Sequence, residues 1–324
     1  MEIIAEFGQS HRGSLDLAMA QARAAAAAGA KAAKWQIFDP KRLATPRARR
    51  YWDAGLGGSE SQQKTFEANG MLTSKQWHDL ASECHRVGVE FLATPFDIEA
   101  VDVLKDLNVA RVKIASADIT YLPLLDAVRD LGRRVIASVG AATDNEIGTM
   151  LERLAPRPVT LLACTLSYPC PADSAGLGRI GHLRSTFDVP VGYSDHTLLV
   201  ETALAAAAAG ATVLERHVTL GGSHVPDDQM ALPIADLERY REMAELGETL
   251  RKESRMGQME LASWAQARRG IYAARRIRKG KVIEPADIIG MRPASGAIPV
   301  AEWDTVLGLP AAKYHAKGDA LSVY

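Results

Sequence analysis

Short apolar or β-branched runs alternate with longer segments of helical pattern along most of the chain. The runs lie at residues 2–7, 31–38, 89–94, 110–116, 134–139, 159–164, 189–194 and 212–217. The segments between them carry helix-end signals, which are Ser14 with Gly29, Ser74 with Gly88, and the capping-box sequence TDNE at 143–146. Apolar strands that are each followed by a helix are typical of a parallel sheet covered on both faces. Eight such units within about 250 residues predict a closed (β/α)8 barrel, an α/β fold of the TIM-barrel class.

Two segments depart from this alternation. Residues 39–73 form a long polar stretch after the second run, and we expect a functional loop there because structureless loops of this length are uncommon. After about residue 250 the pattern changes, with a charged linker at 251–267 and short strands and turns at 268–324. We therefore predict a barrel domain at 1–250 and a small β-rich domain at 268–324, which is marginally stable without a partner surface.

Composition narrows the class of protein. The chain has 324 residues, of which 47% are hydrophobic and 24% are charged, as is usual for a globular protein. No apolar run approaches the roughly 20 residues that span a bilayer. The first residues lack the pattern of a secretory signal, and the three cysteines form no disulfide framework. We expect a cytoplasmic protein that does not bind membranes.

Charge is distributed unevenly along the chain. Residues 1–266 hold 28 Lys and Arg against 34 Asp and Glu, whereas residues 267–324 hold 10 against 5. A basic small domain and an acidic barrel suggest docking between them, or help in holding an anionic ligand. The aromatic content is only 6% and no strong basic excess is present, so we expect no nucleic-acid binding.

Polar side chains collect at the C-terminal ends of the predicted strands, where barrels of this class place their active sites. Nearly every strand ends in a group that is costly to bury without a partner. These residues are Glu6, Lys34, Gln36, Thr94, Lys113, Ser116, Asp118, Ser138, Cys164, Ser194, Asp195, His196, Glu215 and His217. The N-terminal ends are less consistently polar, and this asymmetry favours an enzyme.

Lys34 and Lys113 would face a common mouth, where two ammonium groups need an anion to coexist. Rim lysines can extend to water instead, but the positions within AAKWQ and VKIAS favour a pocket. With the hydroxyl groups of neighbouring strand ends they predict a cradle for phosphate or carboxylate. These hydroxyl groups belong to Thr94, Ser116, Ser138 and Ser194.

His196 and His217 end two consecutive strands, 21 residues apart. Equivalent positions on adjacent strands lie about 5 Å apart, so both rings can enter one mouth. Two neutral imidazoles suit Mn²⁺, Fe²⁺ or Zn²⁺ and leave open positions for substrate. The spacing equally allows two hydrogen-bonded core histidines. Acidic neighbours are Glu6, Glu215 and Asp227, and His11 is a further candidate for binding substrate or metal.

Several segments of the barrel resemble the sialic acid (N-acetylneuraminate) synthase family. They are IIAEFGQSHRGS, AAKWQIF, FLATPFD, VKIASADIT, CTLSYP, VGYSDHT and VLERHVT. The stretch RRGIYAARRIRKGKVIEPADIIGMRP, followed by EWDTVLG, resembles the antifreeze-like (SAF) domain of that family. The resemblance covers essentially the whole chain. It implies a transferase that condenses phosphoenolpyruvate (PEP) with an N-acyl amino-sugar aldehyde, N-acetylmannosamine or a related sugar, to give a nine-carbon ulosonic acid and phosphate.

The resemblance also implies residue roles. It places a divalent metal, Mn²⁺ or Mg²⁺, on His196 and His217, where the metal polarises the aldehyde and can position the water that attacks PEP. The expected catalytic residues are Glu6, Lys113 and Glu215. The expected substrate-binding residues are Lys34, Gln36, Thr94, Ser116, Asp118, Ser138, Tyr168, Ser194, Asp227 and Arg292. Since the SAF domain of one subunit caps the barrel of its partner in this family, a domain-swapped homodimer is expected, with Arg292 contacting the acyl group of the sugar.

The chain departs from the family pattern where substrate is held. ACTLSYP stands in place of His-Cys-Thr-(Ser/Asn)-x-Tyr-Pro, and SHRG stands in place of Asn-His-Asn-Gly, so that Ala163, Leu166 and Arg12 alter polar positions. The acceptor sugar therefore stays open and includes precursors of legionaminic and pseudaminic acids. Two other functions are alternatives: a metal-dependent aldolase or lyase that uses pyruvate itself, and a non-catalytic sugar-binding protein of the same fold.

Overall fold

The eight strands predicted for the barrel pair in parallel in the computed structural model, which describes residues 1–50, 52, 61–222, 225–252 and 257–324. The strands are β1 (Glu2–Gly8), β2 (Ala32–Ile37), β3 (Glu90–Pro95), β4 (Arg111–Ile114), β5 (Arg134–Ser138), β6 (Val159–Ala163), β7 (Val191–Asp195) and β8 (Val213–Thr219). β1 pairs with both β2 and β8, which joins the first strand to the last. The predicted (β/α)8 barrel is thus confirmed.

The hydrogen-bonded path runs β3-β2-β1-β8-β7-β6-β5-β4, so the seam of the barrel lies between β3 and β4. Side chains bridge this seam. Arg111 at the start of β4 donates to both carboxylate oxygens of Glu90 on β3, at 2.8 and 2.7 Å, and lies 2.5 Å from Glu2 on β1. A bidentate arginine–carboxylate pair of this kind fixes both distance and orientation.

Helices follow the strands. They are α1 (Leu15–Ala27), α2 (Pro40–Leu43), α3 (Gln62–Asn69), α4 (Ser74–Val87), α5 (Ile98–Asp106), α6 (Leu122–Leu131), α7 (Asp144–Leu154), α8 (Gly178–Thr186), α9 (Thr202–Ala208) and α10 (Leu237–Arg251). The short strand β9 (Leu232–Pro233) pairs with β8 ahead of α10. No helix in the described ranges has the length and apolar character that crossing a bilayer requires.

Most of the helix-end predictions are confirmed. Ser14 caps α1 by accepting from Leu17 N, and Thr143 forms a capping box with Glu146 at the start of α7. The N-cap of α4 is Thr73 rather than the predicted Ser74, because Thr73 with Gln76 satisfies two free amides at once.

The expectation of a loop at 39–73 is partly wrong, since α2 and α3 lie within the described part of this segment. Residue 51 and residues 53–60 lie outside the described ranges. The sequence of α3, QQKTFEAN, has one large apolar residue and therefore no apolar stripe. Phe66, that one residue, packs beside Phe38 and Trp52 with ring centroids 5.2 and 5.6 Å apart. Tertiary contacts therefore stabilise a helix that the local pattern does not predict.

The barrel interior changes from apolar to polar along six of the eight strands. One interior layer consists of Ile4, Ala32, Leu92, Ile136, Leu162 and Val213. Side chains two positions later face the same side of a strand. At those positions stand Glu6, Lys34, Thr94, Ser138, Cys164 and Glu215, all less than a tenth exposed. The alternation that packs the core therefore also places the polar groups at the C-terminal mouth.

The chain divides into two units, Met1–Lys252 and Glu253–Tyr324. The second contains α11 (Gln258–Ala267), an antiparallel pair of strands, β10 (Gly270–Ala273) and β11 (Ile288–Met291), and α12 (Trp303–Val306). Its core includes Ile271, Ile277, Ile283 and Leu321. Asp287 lies fully buried beside this core and pairs with Arg275 and Lys281.

Candidate active site

A cavity of about 340 Å³ opens at the C-terminal ends of the barrel strands. Residues from all eight strands or from the segments directly after them line it. They include Glu6, Lys34, Gln36, Thr94, Lys113, Ser116, Ser138, Cys164, Tyr168, Ser194, His196, Glu215, His217 and Asp227. Of the residues predicted for the site, Asp118 lies in an adjoining cavity, and Arg292 is an exposed residue of the second unit.

Lys34 lies among acidic and hydroxyl groups at the floor of this cavity. Its Nζ lies 2.7 Å from Glu6 Oε2 and 3.6 Å from Glu215 Oε2. It also donates to Thr94 Oγ1 at 3.1 Å. All four side chains are buried, so the charges compensate one another instead of being hydrated.

Lys113 approaches the same carboxylate from the other side. Its Nζ lies 3.6 Å from Glu215 Oε1 and donates to Ser138 Oγ at 2.6 Å. Ser194 Oγ donates to Glu215 Oε1 at 3.0 Å. Glu215 therefore lies between the two ammonium groups, and the predicted convergence of both lysines on one mouth is observed.

The two carboxylic acids have pKa values shifted in opposite directions. Burial raises the pKa of Glu6, and the nearby Glu215 charge adds to this, so that Lys34 only partly offsets the increase. Burial alone would raise the pKa of Glu215 as well, but Lys113 and Lys34 outweigh it and hold that pKa below its usual range. Two acids whose environments separate their pKa values can act in different protonation states.

The pKa values of the two lysines are also shifted in opposite directions. Burial lowers the pKa of Lys113, and the nearby charge of Lys34 contributes to this. Burial would also lower the pKa of Lys34, but the Glu215 and Glu6 charges outweigh it, so the pKa of Lys34 is raised.

Ser116 and Cys164 form a further part of the lining. The Gly140 N–H donates to Ser116 Oγ at 2.9 Å, and this hydroxyl group lies 3.3 Å from Cys164 Sγ. A Cβ at position 140 would lie 2.7 Å from the same sulfur, so only glycine fits beside it. Burial raises the pKa of the Cys164 thiol, which keeps it protonated and unsuited to nucleophilic attack.

The two predicted histidine ligands face each other, with ring centroids 5.7 Å apart. His196 Nδ1 lies 2.8 Å from the Thr165 carbonyl oxygen, which can only accept, so Nδ1 carries the proton. Its Nε2 keeps a lone pair and lies 3.5 Å from Ser194 Oγ. The Tyr168 ring packs against His196 at 4.5 Å and fixes the plane of the imidazole.

His217 Nδ1 lies 3.7 Å from Asp227 Oδ2, and both atoms are buried without a hydrogen-bond partner. Burial lowers the pKa of both imidazoles, with that of His217 well below its usual value. Neutral rings with available lone pairs and an adjacent unsatisfied carboxylate oxygen fit a divalent cation. Within the described ranges, no group of three or more His, Cys, Asp and Glu side chains surrounds one point, so a cation here would take further ligands from water or substrate.

Asp227 approaches the site in a short helical turn after β8, at Pro226–Gln229. A Cβ at Gly8 would lie 2.3 Å from Asp227 Oδ2 and would displace that carboxylate, and the φ of +55° at Gly8 also favours glycine. Burial raises the pKa of Asp227 to about 7, and the Glu6 charge contributes.

A second cavity of about 360 Å³ adjoins the first and shares Gln36, Phe96 and Asp227 with it. Its wall is partly aromatic and partly amide, and it includes Gln9, Leu43, Trp52, Gln62, Phe66, Asn69, Asp118 and Val225. Burial raises the pKa of Asp118 to about 6 against the opposing charge of Lys113. The site thus has a strongly charged end inside the barrel and a less charged end beside α3.

A buried ion pair lies behind the histidines, on the outer side of the same strands. Asp195 Oδ2 lies 3.0 Å from Arg216 Nη1 and accepts from the Tyr240 hydroxyl group at 3.0 Å. Because side chains alternate along a strand, Asp195 and Arg216 face away from the mouth that His196 and His217 face. Sequence reasoning noted Asp195 as a strand-end group but missed this pairing.

His11 does not contribute to either cavity. It is fully buried, its ring lies 5.7 Å from that of Trp77, and its Nδ1 accepts from Gly13 N at 3.0 Å. The suggestion that His11 binds substrate or metal is therefore wrong. Gln9 and Asn69, in contrast, were missed by sequence reasoning, because polar amides in irregular segments carry no periodic signal.

Comparison with known proteins identifies the family. Residues 22–255 match the NeuB family, and residues 268–322 match the SAF domain. The chain is 32% identical to the N,N'-diacetyllegionaminic acid synthase of Campylobacter jejuni, over 98% of both chains. It is 28% identical to the pseudaminic acid synthase of Campylobacter jejuni, over 98% of this chain and 94% of that one.

A solved structure shares the fold. It is the N-acetylneuraminic acid (sialic acid) synthetase of Leptospira borgpetersenii in complex with citrate, with a TM-score of 0.71 at 30% identity. The match covers 81% of this chain and 89% of that chain. The barrel, the strand-end site and the matches to both family models agree. The chain belongs to the NeuB family and carries an SAF domain.

Proposed function

We propose that this chain is a synthase that condenses PEP with an N-acyl amino-sugar aldehyde to a nine-carbon ulosonic acid. The observation that carries the proposal is the convergence of the buried side chains of Lys34 and Lys113 on one cavity, which adjoins a second cavity whose lining is uncharged or weakly acidic. This arrangement suits a small anion at the barrel end and a neutral polyol at the other. The synthases named among its relatives support the same class.

The anion end would hold PEP. Lys34 and Lys113 supply charge, and the hydroxyl groups of Thr94, Ser116, Ser138 and Ser194 supply directional hydrogen bonds. The lysines are already compensated by Glu6 and Glu215, so bound PEP would compete with those carboxylates for the ammonium groups. When no PEP is bound, these internal contacts keep the two buried ammonium groups from being unpaired.

The reaction forms one carbon–carbon bond and breaks one carbon–oxygen bond. C3 of PEP attacks the aldehyde carbon, water adds to C2, and the C2–O bond to phosphate then breaks to leave the ketone. The aldehyde oxygen needs a proton, which Glu6 is suited to carry because burial raises its pKa. Glu215 is held ionised between the lysines and is suited to offset positive charge that develops at C2.

His196 and His217, which line the lysine-rich cavity, would hold a divalent cation, Mn²⁺ or Mg²⁺. Such a cation would supply Lewis-acid polarisation of the aldehyde oxygen. The residues of the chain do the remaining work: Thr165 and Tyr168 fix the ring of His196, while Asp227 and Gln36 line the path from PEP to the acceptor.

The acceptor end would take the sugar chain and its acyl groups. Gln36, Asp118 and Asp227 are the polar groups for sugar hydroxyls, and Phe66 and Phe96 offer apolar surface for methyl groups. We extend the proposal to a domain-swapped homodimer in which Arg292 of one copy contacts the acyl group held by the other. The opposite charge balance of residues 1–266 and 267–324 supports such docking.

The test is phosphate release from PEP with Mn²⁺ across a panel of amino-sugar aldehydes, each repeated with EDTA. The panel contains N-acetylmannosamine and the diacetamido sugars that precede legionaminic and pseudaminic acids. We expect release with one sugar only, abolished by EDTA. Turnover of pyruvate without phosphate release would instead identify an aldolase, and tight sugar binding without any turnover would identify a binding protein.

The dimer has a separate test by subunit mixing. Lys113→Met inactivates the barrel of one copy, and Arg292→Ala inactivates the acyl contact supplied by the other. If the contact crosses between copies, a refolded mixture of these two inactive variants regains activity. Activity that stays absent in a mixture shown to contain hybrid dimers would contradict the swap.

A further inference from the structure

Three carboxamide side chains form a hydrogen-bond chain that ends on the Glu6 carboxylate. Gln36 Nε2 donates to Glu6 Oε1 at 3.1 Å. Gln9 Nε2 donates to Gln36 Oε1 at 3.3 Å, and Asn69 Nδ2 donates to Gln9 Oε1 at 2.9 Å. Each amide donates from its NH₂ group to the next member, and Gln9 and Gln36 also accept from the one before.

Glu6 sets the direction of this chain. Before PEP binds, Glu6 is paired with the Lys34 ammonium group at 2.7 Å, and a carboxylate in such a pair can only accept. Gln36 therefore has to turn its NH₂ group towards Glu6 and its carbonyl towards Gln9. The same constraint then passes to Gln9 and Asn69. These two side chains are only 7% and 8% exposed, so a hydrogen bond lost there is not readily replaced by water.

This series of hydrogen bonds connects the barrel to the segment inserted between β2 and α4. Gln9 lies in the turn after β1, and Asn69 is the last residue of α3, within the insertion between β2 and α4. Both line the second cavity beside Gln36. The insertion that forms the wall of the acceptor end is therefore hydrogen-bonded, through two amides, to the acid at the reacting end.

We propose that Gln9 and Asn69 are positioning residues for the acceptor step, which hold Gln36 with its NH₂ group towards Glu6. The inference rests on the proposed function, in which Glu6 and Gln36 meet the acceptor. Neither Gln9 nor Asn69 lines the lysine-rich cavity that would hold PEP. Their loss should therefore act on the acceptor and leave PEP binding unchanged.

The decisive comparison is Asn69→Asp against Asn69→Ala. Aspartate is nearly isosteric with asparagine but only accepts, so Gln9 would turn its NH₂ group towards position 69 and its carbonyl towards Gln36. Gln36 would then present its own carbonyl to Glu6, and two acceptors would face each other. Alanine removes the last donor but leaves the direction of the other two links intact.

We expect Asn69→Asp to lower kcat/KM for the acceptor by about 10- to 100-fold, the effect of one unsatisfied buried polar pair. Asn69→Ala should lower it less, and the KM for PEP should not change in either variant. Gln9→Glu and Gln9→Leu repeat the comparison one link closer to Glu6 and should show the same order. If thermal unfolding shows that a variant at position 69 is poorly folded, the two Gln9 variants decide the test.

Gln63→Glu is the matched control for added charge. Gln63 lies on the same helix, its side chain bonds to Glu67, and it does not line the cavity. This variant should keep the constants of the wild-type enzyme.

The inference is overturned if kcat/KM for the acceptor is no lower in Asn69→Asp than in Asn69→Ala, and no lower in Gln9→Glu than in Gln9→Leu. A merely structural role would favour the isosteric change in each pair. The inference is also overturned if the KM for PEP rises along with that for the acceptor. Wild-type protein that releases no phosphate with any sugar would refute the proposed function itself, and the inference with it.

Discussion

Lys34 Nζ lies 2.7 Å from Glu6 Oε2, and both side chains are almost completely buried. This contact joins a residue proposed to bind PEP, Lys34, to the proposed proton donor, Glu6. We predict that Lys34→Met lowers kcat/KM for PEP by about 100- to 1000-fold, at least the effect of removing one preorganised hydrogen-bond donor from an oxyanion hole. Steady-state phosphate release measures this directly.

Lys75→Met is the control for that prediction. Lys75 also pairs with a carboxylate, Asp79 at 2.8 Å, but its side chain is 84% exposed. Exposed ion pairs contribute about 0–1 kcal/mol, so this variant should match the wild type in activity and stability. Equal activity of Lys34→Met and Lys75→Met would show that Lys34 does not bind PEP.

The histidine pair gives a prediction about metal. His196→Ala and His217→Ala should each abolish EDTA-sensitive turnover and weaken Mn²⁺ binding, followed by electron paramagnetic resonance of free Mn²⁺. His182→Ala is the matched control, because His182 also lies near a carboxylate, that of Asp144 at 2.8 Å, but is half exposed. Near-normal activity of His196→Ala in chelator-treated buffer would show that the pair holds no catalytic metal.

The buried pair behind the histidines gives a prediction about stability. Arg216→Leu leaves Asp195 buried without its cation, and we expect a loss of about 3–5 kcal/mol in the free energy of unfolding. Tyr240→Phe removes only the hydroxyl group that donates to Asp195 and should cost about 1 kcal/mol. Urea unfolding monitored by circular dichroism measures both.

Arg239→Leu serves as the comparison for these two variants. Arg239 pairs with Glu201 at 3.5 Å on the surface, with both side chains more than 60% exposed. Its replacement should change the free energy of unfolding by less than about 1 kcal/mol. A loss at Arg216 as small as that at Arg239 would mean that the buried pair does not stabilise the barrel.

The second unit should lose stability in acid. Burial alone would raise the pKa of Asp287, but Lys281, the Glu284 N–H and Arg275 outweigh it and lower the pKa from 3.8 to about 2. The ionised form is thus favoured by folding, so its contribution is complete above about pH 5 and is lost as the pH falls towards 2. Asp287→Asn should cost about 2–4 kcal/mol at pH 7 and progressively less below pH 4.

Hydrogen exchange of peptides covering β10 and β11, after equilibration in urea at each pH, isolates this unit from the barrel. Asp304→Asn, at an exposed position on α12, is the control and should behave as wild type throughout. A deficit of Asp287→Asn that stayed constant from pH 7 to pH 2.5 would contradict the assignment, since the carboxylate of the unfolded wild-type chain is protonated at the acid end and most of the stabilisation should be lost there.

Features that follow from the two-residue alternation of side chains along a strand, and from the position of a residue at a strand end, could be predicted from the sequence. The alternation that places Ile4 and Glu6, or Val213 and Glu215, on one face of a strand is visible in the letters, and so the strand-end site was predicted. Roles such as PEP binding at Lys34 came from the family resemblance and not from spacing.

What the sequence did not predict depends on contacts between irregular segments. Asn69 reaches Gln9 across 60 residues of chain, and neither lies in an apolar pattern. His11 stands directly after a strand, like a site residue, yet the turn that follows β1 directs it towards Trp77. In both cases the direction of a side chain depends on tertiary packing, which local sequence does not encode.

The two adjoining cavities are built from different kinds of backbone. Hydrogen-bonded strand ends carry the lysines, the acids and the histidines, whereas α3, its flanking segments and the turn after β8 supply most of the second wall. Substitutions, insertions or deletions in those segments can alter what the second cavity admits without shifting a single strand. The part of the site proposed to select the acceptor can therefore change while the charged strand ends stay the same.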